Sequence, residues 1–288
     1  MTSKIILING LLPYESGKTW FTISLYKTLM KSKVKSIMYK PVAAHNLWYS
    51  VKPLAHSIKL RLLLGNDAYA YYKETRVSPT ILNPIAMASA PLDPEKYGHN
   101  IEKYMEDSTM FLPQLVMARV SNPAKDRTIH YIVRENVEKT ISAARKVIDL
   151  LEKTLAPIET SLGEMSRFLT SREIDDLLQS TLTILQGEYD VVLLESFNDA
   201  IVPSMGLINS VDLMITIAPG KAFLYDKESS KRIIKYVQEE IKDPGSLIVS
   251  NVFVKFRPSH SFNIPLLTKP APREEFKTIS QFLTKWIQ

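Results

Sequence analysis

Short unbroken apolar runs alternate along this chain with segments of helical period. Ile5–Ile8 and Val191–Leu194 are each continuous and strand-sized, and Leu213–Ala218 is a further apolar strand interrupted by Thr216, as in strands buried on both faces. Trp20–Met30 carries Phe21, Leu25 and Leu29 four residues apart, which predicts a helix. Ser36–Tyr39 reads as a second strand, reached from the first by a right-handed βαβ crossover. Pro41 stops it and leaves Lys40 at its C-terminal end. Pro53–Gly65 is helical by the spacing of Leu54, Ile58 and Leu62, and residues 78–92 read as a proline-punctuated packed loop. Gln114–Val120 and Thr128–Val133 flank a polar link and predict a hairpin. A long apolar stripe then runs from Val137 to Leu155 and ends at Pro157. A further helix is expected from Thr170, where Thr170 and Glu173 have capping-box spacing. Asp226–Ile241 and Ile279–Ile287 read as helices, and Leu247–Val249 as a strand leading to Asn251. Strands separated by helices, with no hairpin among the core strands, predict an α/β fold. Its sheet would be mostly parallel, with helices on both faces. Residues 1–288 would form a single domain carrying a helical and hairpin insertion at 111–187.

Composition narrows the class of protein more than its task. A hydrophobic fraction of 45% and a charged fraction of 23% are ordinary for a globular chain. No apolar run reaches the length of a membrane span, and the chain starts on a strand without a signal peptide. The expected location is cytoplasmic. With zero cysteines, disulfides, thiolate metal sites and cysteine nucleophiles are excluded. The five histidines show no metal-ligand spacing. A net charge of +6 permits an anionic partner, but the basic residues are spread out, so a nucleotide suffices and nucleic acid is not favoured.

The chemistry sits in the first apolar run and the loop and helix start after it, KIILINGLLPYESGKTW. Strand, loop, Gly17-Lys18-Thr19 and helix have the order of a P-loop NTPase fold. In that arrangement backbone N–H groups and the helix N-terminus hold phosphates, the Lys reaches the β/γ-phosphates and the Thr hydroxyl ligates Mg²⁺. The standard pattern puts a glycine at position 12, where this chain has Leu12; Gly10 stands two residues early. Ser16, Gly17, Lys18, Thr19 and Trp20 are the expected nucleotide-binding residues. Glu195, at the end of the second apolar run, is placed to hold Mg²⁺ opposite the loop. No Asn-Lys-x-Asp stretch for guanine is present, since Thr268-Lys269-Pro270-Ala271 lacks the Asp. Adenine is therefore the expected base, with Asn251 as its candidate partner and a turn-filling role as the alternative.

Five pieces in order resemble dethiobiotin synthetase and its relatives. They are Glu15-Ser16-Gly17-Lys18-Thr19, Lys40-Pro41-Val42, Asn66-Asp67-Ala68, Asn83-Pro84 with Ala90-Pro91 after it, and the strand ending in Glu195. The likeness spans about residues 1–110 and 188–288. It implies an ATP- and Mg²⁺-dependent reaction in which a carbamate, formed from an amine and CO₂, attacks the γ-phosphate before ring closure. By the same resemblance Thr19, Asp67 and Glu195 would surround Mg²⁺. Lys18 and Lys40 would stabilise charge on the phosphoryl group, and Glu15 would lie toward the substrate. The chain departs from the family after Glu195, where Ser196-Phe197-Asn198-Asp199 replaces a glycine-rich run. It departs again at Ala43-Ala44-His45-Asn46, and residues 111–187 are longer than the family needs. The diamine substrate is thus not carried over.

The functional expectation is phosphoryl transfer from ATP to a small-molecule acceptor of carboxylate or carbamate type, with 111–187 as a cap or homodimer surface. Two alternatives stand beside it: a nucleotide-dependent switch or assembly ATPase acting on a protein, and a polynucleotide kinase-like RNA-binding ATPase.

Overall fold

The computed structural model describes residues 3–241, 247–266, 270 and 274–287. In chain order it contains β1 (Lys4–Gly10), α1 (Lys18–Lys31), β2 (Ser36–Tyr39), β3 (Val42–Asn46), α2 (Val51–Leu60), α3 (Asn66–Thr75), α4 (Pro79–Leu82) and β4 (Ile85–Ser89). Next come α5 (Ile101–Thr109), β5 (Leu115–Asn122), β6 (Arg127–Val133), α6 (Arg134–Val137), α7 (Ser142–Leu155), β7 (Ile158–Thr160), α8 (Leu162–Leu169) and α9 (Arg172–Glu188). The chain closes with β8 (Val191–Glu195), β9 (Leu213–Ala218), β10 (Lys221–Tyr225), α10 (Lys227–Glu240), α11 (Val249–Lys255), β11 (His260–Asn263) and α12 (Glu274–Ile287). Among the described residues no helix is long and apolar enough to cross a membrane.

The chain divides into two compact units, Met1–Pro41 with Leu178–Gln288, and Val42–Leu177. The second unit thus begins well before the expected insertion at 111–187, because residues 42–110 contribute two strands to its sheet.

The first unit holds a sheet in the order β11-β10-β9-β1-β8-β2. The pairings of β1, β2, β8 and β9 are parallel, as their unbroken apolar runs require. Ile5, Ile6, Leu7 and Ile8 have no exposed surface, and neither have Val191 to Leu194. The crossover from β1 to β2 skips a position, which β8 fills. The expected absence of hairpins fails at the other edge, where β10 runs antiparallel to β9 and β11 antiparallel to β10. Pro219-Gly220 makes that turn, with Gly220 at φ 77, a backbone region that favours glycine. Leu247–Val249 is not a sheet strand, since Val249 opens α11.

The second unit has the sheet order β3-β4-β5-β6-β7, with parallel outer pairs and antiparallel inner ones. β5 and β6 form the expected hairpin. The stretch expected to be a packed proline loop contains β4, buried along its whole length. The apolar stripe predicted from Val137 breaks into α6 and α7, and Ala144, Ile148, Leu151 and Leu155 of α7 join the core with Val116, Met117 and Ile132. The capping box lies one helix earlier than expected, with Ser161 and Glu164 closing the start of α8 reciprocally. Thr170 is instead the C-terminal cap of α8.

Register puts His45, Arg119 and His130 on one face of this sheet, because His45 pairs with Ala88 and Arg119 with both Ala86 and His130. Arg119 is fully buried; its Nη2 donates to the carbonyl and side-chain oxygen of Asn83. Burial pulls the guanidinium pKa down to about 9. His45 falls to about 4, chiefly by burial; the Met87 backbone and Asp67 offset part of the shift and Arg119 adds to it. His130 also falls to about 4, by burial and then by Arg119, and its Nε2 accepts from the Leu63 amide at 3.2 Å. Unfolded histidine titrates near about 6.5, so between there and pH 4 the unfolded chain holds more protons. Stability is therefore full above that window and is lost as pH falls through it. Going from pH 7 to pH 5 is expected to cost about 2 kcal/mol per histidine. Urea unfolding at the two pH values checks this, and His45→Gln should remove His45's share of the difference and leave that of His130.

Candidate functional site

β1 lies between β8 and β9, so the chain leaves it at the C-terminal edge of the sheet, where open α/β sheets bind ligands. Residues 11–17 form a loop that ends at Gly17, whose φ of 88 turns the chain into α1. Glu15 in the same loop also has a positive φ, 53. α1 starts at Lys18 with no side-chain cap and no acid in its first turn. Its leading N–H groups and positive dipole end are thus left to an anion.

Lys18 folds back over the end of β1. Its Nζ donates to Ser16 Oγ at 3.1 Å and to the Asn198 carbonyl at 2.6 Å. A Cβ on Gly10 would stand 2.5 Å from Ser16 Oγ, 2.7 Å from Lys18 Nζ and 3.0 Å from Lys18 Cδ. The glycine is therefore needed where the lysine crosses the strand end, not at position 12. Against the standard pattern Gly10 stands too early, yet its position as the last residue of an apolar strand is the signal that marks it.

Strand pairing brings the acid in from the other side. Ile8 pairs with Glu195 and Tyr39 with Leu194, which puts Glu195, the last residue of β8, beside Lys40, the first residue after β2. Glu195 is fully buried. Its Oε1 accepts from Thr19 Oγ1 at 2.8 Å and from Lys40 Nζ at 2.7 Å. Ser16, Lys18, Thr19, Lys40 and Glu195 thus gather at one edge of the sheet.

The loop after β8 is held by groups that sequence reasoning passes over. The Ser196 amide donates to the Ile8 carbonyl at 2.9 Å and its Oγ to the Ala200 carbonyl at 2.6 Å. Asn9 Nδ2 donates to the Ile201 carbonyl at 3.0 Å, while Thr216 Oγ1 donates to Asn9 Oδ1 at 2.7 Å. Asn198, at φ 45, turns its carbonyl to Lys18. A polar Asn inside the run Ile5–Gly10 is the clue, since a buried amide must find partners.

Beside the loop lies a cavity of about 400 Å³, lined among others by Glu15, Trp20, Ile217, Pro219, Ile264 and Leu266. Glu15 thus borders this cavity. Asn251 does not line it; it lies exposed on α11 rather than at a strand end. Asp67 belongs to the second unit, in the first turn of α3, where a carboxylate suits the helix dipole and acts on His45. The Thr268–Ala271 stretch lies largely outside the described residues.

The donors at Thr19 and Glu195 are hard oxygens, which suit Mg²⁺. Among the described residues no group of three His, Cys, Asp or Glu could cage a metal. Mg²⁺ does not require one, because it keeps waters and takes phosphate oxygens beside one or two carboxylates. Compared with protein-family models and with curated proteins, the chain matches neither.

Proposed function

We propose that this protein is an ATP- and Mg²⁺-dependent enzyme of the P-loop NTPase fold, resembling dethiobiotin synthetase, that transfers a phosphoryl group to a small-molecule acceptor. The observation that carries this reading is the close approach of Lys18 to Gly10 at an uncapped helix start, beside the Thr19–Glu195–Lys40 cluster.

In this reading the N–H groups at the start of α1 take the phosphates, and Lys18 leaves the Asn198 carbonyl for the β/γ-oxygens. Thr19 and Glu195 would hold Mg²⁺, which takes one or two protein oxygens beside its waters and the phosphates. When bound, Mg²⁺ would supply positive charge against the phosphates. Lys40, now held by Glu195, supplies a second ammonium for charge that develops on the transferred group. Trp20 and the neighbouring cavity take the nucleoside. The acceptor is a carboxylate or carbamate, the nucleophiles for which two lysines around the γ-phosphate are suited.

The test is calorimetric titration with ATP, then a phosphate-release assay against a panel of small amines and acids with bicarbonate. Saturable binding that weakens when Mg²⁺ is chelated, and turnover raised by one small molecule, are expected. Slow turnover that responds only to a protein or an RNA would replace the enzyme with a switch or a polynucleotide-directed ATPase.

A further inference from the structure

Ser196-Phe197-Asn198-Asp199, the run that departs from the glycine-rich stretch of the resembled family, makes two sets of backbone bonds. On one side the Asn198 carbonyl accepts from Lys18 Nζ at 2.6 Å, a charge-assisted bond to the lysine assigned above to the phosphates. On the other side the loop is tied to the start of α11. The Val249 amide donates to the Asp199 carbonyl at 2.8 Å and the Ile201 amide to the Leu247 carbonyl at 2.9 Å, while Ala200 and Ile248 form an antiparallel bridge. The loop's two ends are anchored to β1, by the Ser196 amide on the Ile8 carbonyl and by Asn9 Nδ2 on the Ile201 carbonyl. Residues 197–200 between them are partly exposed and are the part that can shift. Asn198 sits there at φ 45, in the left-handed region. Asparagine tolerates that region and β-branched side chains do not.

We propose that this loop is a latch: the Asn198 carbonyl competes with the phosphates for Lys18, and phosphate binding loosens residues 197–200 together with the start of α11. The proposal rests on the nucleotide reading above. An ammonium has three donors, and two of them are directed at Ser16 and Asn198. Contact with both β- and γ-phosphate oxygens calls for two, so one existing bond is given up. Ser16 belongs to the phosphate loop itself, whereas Asn198 lies on the segment that can shift. Once the ammonium turns away, the bond from Lys18 no longer holds Asn198 at φ 45. The change is passed on by contact, because Asp199, Ala200 and Ile201 are bonded to residues 247–249. α11 carries it to the surface, where Asn251, Val254 and Lys255 are exposed. The latch also lowers apparent affinity, since binding must first draw the lysine from its carbonyl.

The experiment uses the full chain with the Mg²⁺ salts of ATP and inorganic tripolyphosphate. In hydrogen exchange read by mass spectrometry, saturating ATP should slow exchange at the start of α1 and speed it severalfold in residues 197–201 and 247–252. By calorimetry, Asn198→Val, whose branched side chain disfavours φ 45, should bind tripolyphosphate about fivefold more tightly. Asn198→Gly, which keeps both the left-handed backbone and the carbonyl, should show no such gain. Exchange that is unchanged or slower in both segments overturns the latch. So does an Asn198→Val chain that folds and binds no more tightly than the original. In either case ATP binding leaves the nucleotide reading standing. Should Asn198→Val fail to fold, exchange in the original chain decides alone. If neither ATP nor tripolyphosphate binds, the nucleotide reading falls and the latch with it.

Discussion

Lys18→Ala is expected to weaken ATP binding by roughly 10- to 150-fold, and Gly10→Ala to come close to it with the lysine still in place. A hydrogen bond to a charged group contributes about 1.5–3 kcal/mol, so losing the ammonium costs roughly 10- to 150-fold in affinity, with every 1.4 kcal/mol a factor of ten. In Gly10→Ala the new Cβ would fall 2.5 Å from Ser16 Oγ and 2.7 Å from Lys18 Nζ. Both atoms end movable side chains, so the fold can yield by swinging them aside. Stability should therefore change by no more than about 1 kcal/mol, since alanine is also the easier residue to order in a strand. Binding is the more sensitive readout, because a methyl at the strand end crowds the space in which Lys18 turns from the Asn198 carbonyl toward the phosphates. Leu12→Gly, which restores the standard pattern, should leave affinity unchanged; Leu12 is 41% exposed and has no part in the lysine's path. Calorimetry on the three variants, with urea unfolding alongside, checks the set. Normal ATP binding by Gly10→Ala would show that the close approach is dispensable.

Glu195→Ala should be the most destabilising single change in the cluster. The Lys40–Glu195 pair is 2.7 Å long, with side chains 6% and 0% exposed. Removing one member of a buried pair takes the carboxylate away from the buried ammonium and typically costs about 3–5 kcal/mol. Thr19 loses its acceptor at the same time. The double change Glu195→Leu with Lys40→Met should recover most of the loss, because apolar replacement of a whole buried pair is often close to neutral. It should not recover function, since both candidate charges are gone. Urea unfolding of the single and double variants measures the difference, and a cost below about 1 kcal/mol for Glu195→Ala would mean that solvent reaches the pair.

Local pattern is enough wherever one residue type does the whole job. β1, β8 and β9 are visible because a strand buried on both faces must be apolar at every position. β4 is not, because Ile85-Ala-Met-Ala-Ser is short, alanine-rich and enclosed by prolines, so its strand character comes from the pairing with β3 and β5. β10 and β11 are hidden for a related reason: Lys221–Tyr225 and His260–Asn263 are short, and their strand character comes from the antiparallel pairing of β10 with β9 and of β11 with β10. Helix starts are ambiguous because the same spacing of hydroxyl and acid occurs at Ser161/Glu164 and at Thr170/Glu173. Only the first pair makes the reciprocal capping bonds; α9 does begin beside the second, at Arg172, but too far along for Thr170 to cap it. Asn251 loses its expected place together with the strand that would have ended there.

For the candidate site, the residue types are written in the chain: a Gly-Lys-Thr after a buried strand, a lysine before Pro41 and an acid after four apolar residues. Their meeting is not. Lys40 and Glu195 are 155 positions apart and become neighbours only because β8 inserts between β1 and β2 in a register that aligns their ends. Gly10 makes the same point in the smallest space, since a missing Cβ has no value until Lys18 and Ser16 are folded against it. Strand character follows from local periodicity and can be read in order. Which strands lie side by side, and which atoms then compete for one position, depends on long-range pairing that no window of sequence contains.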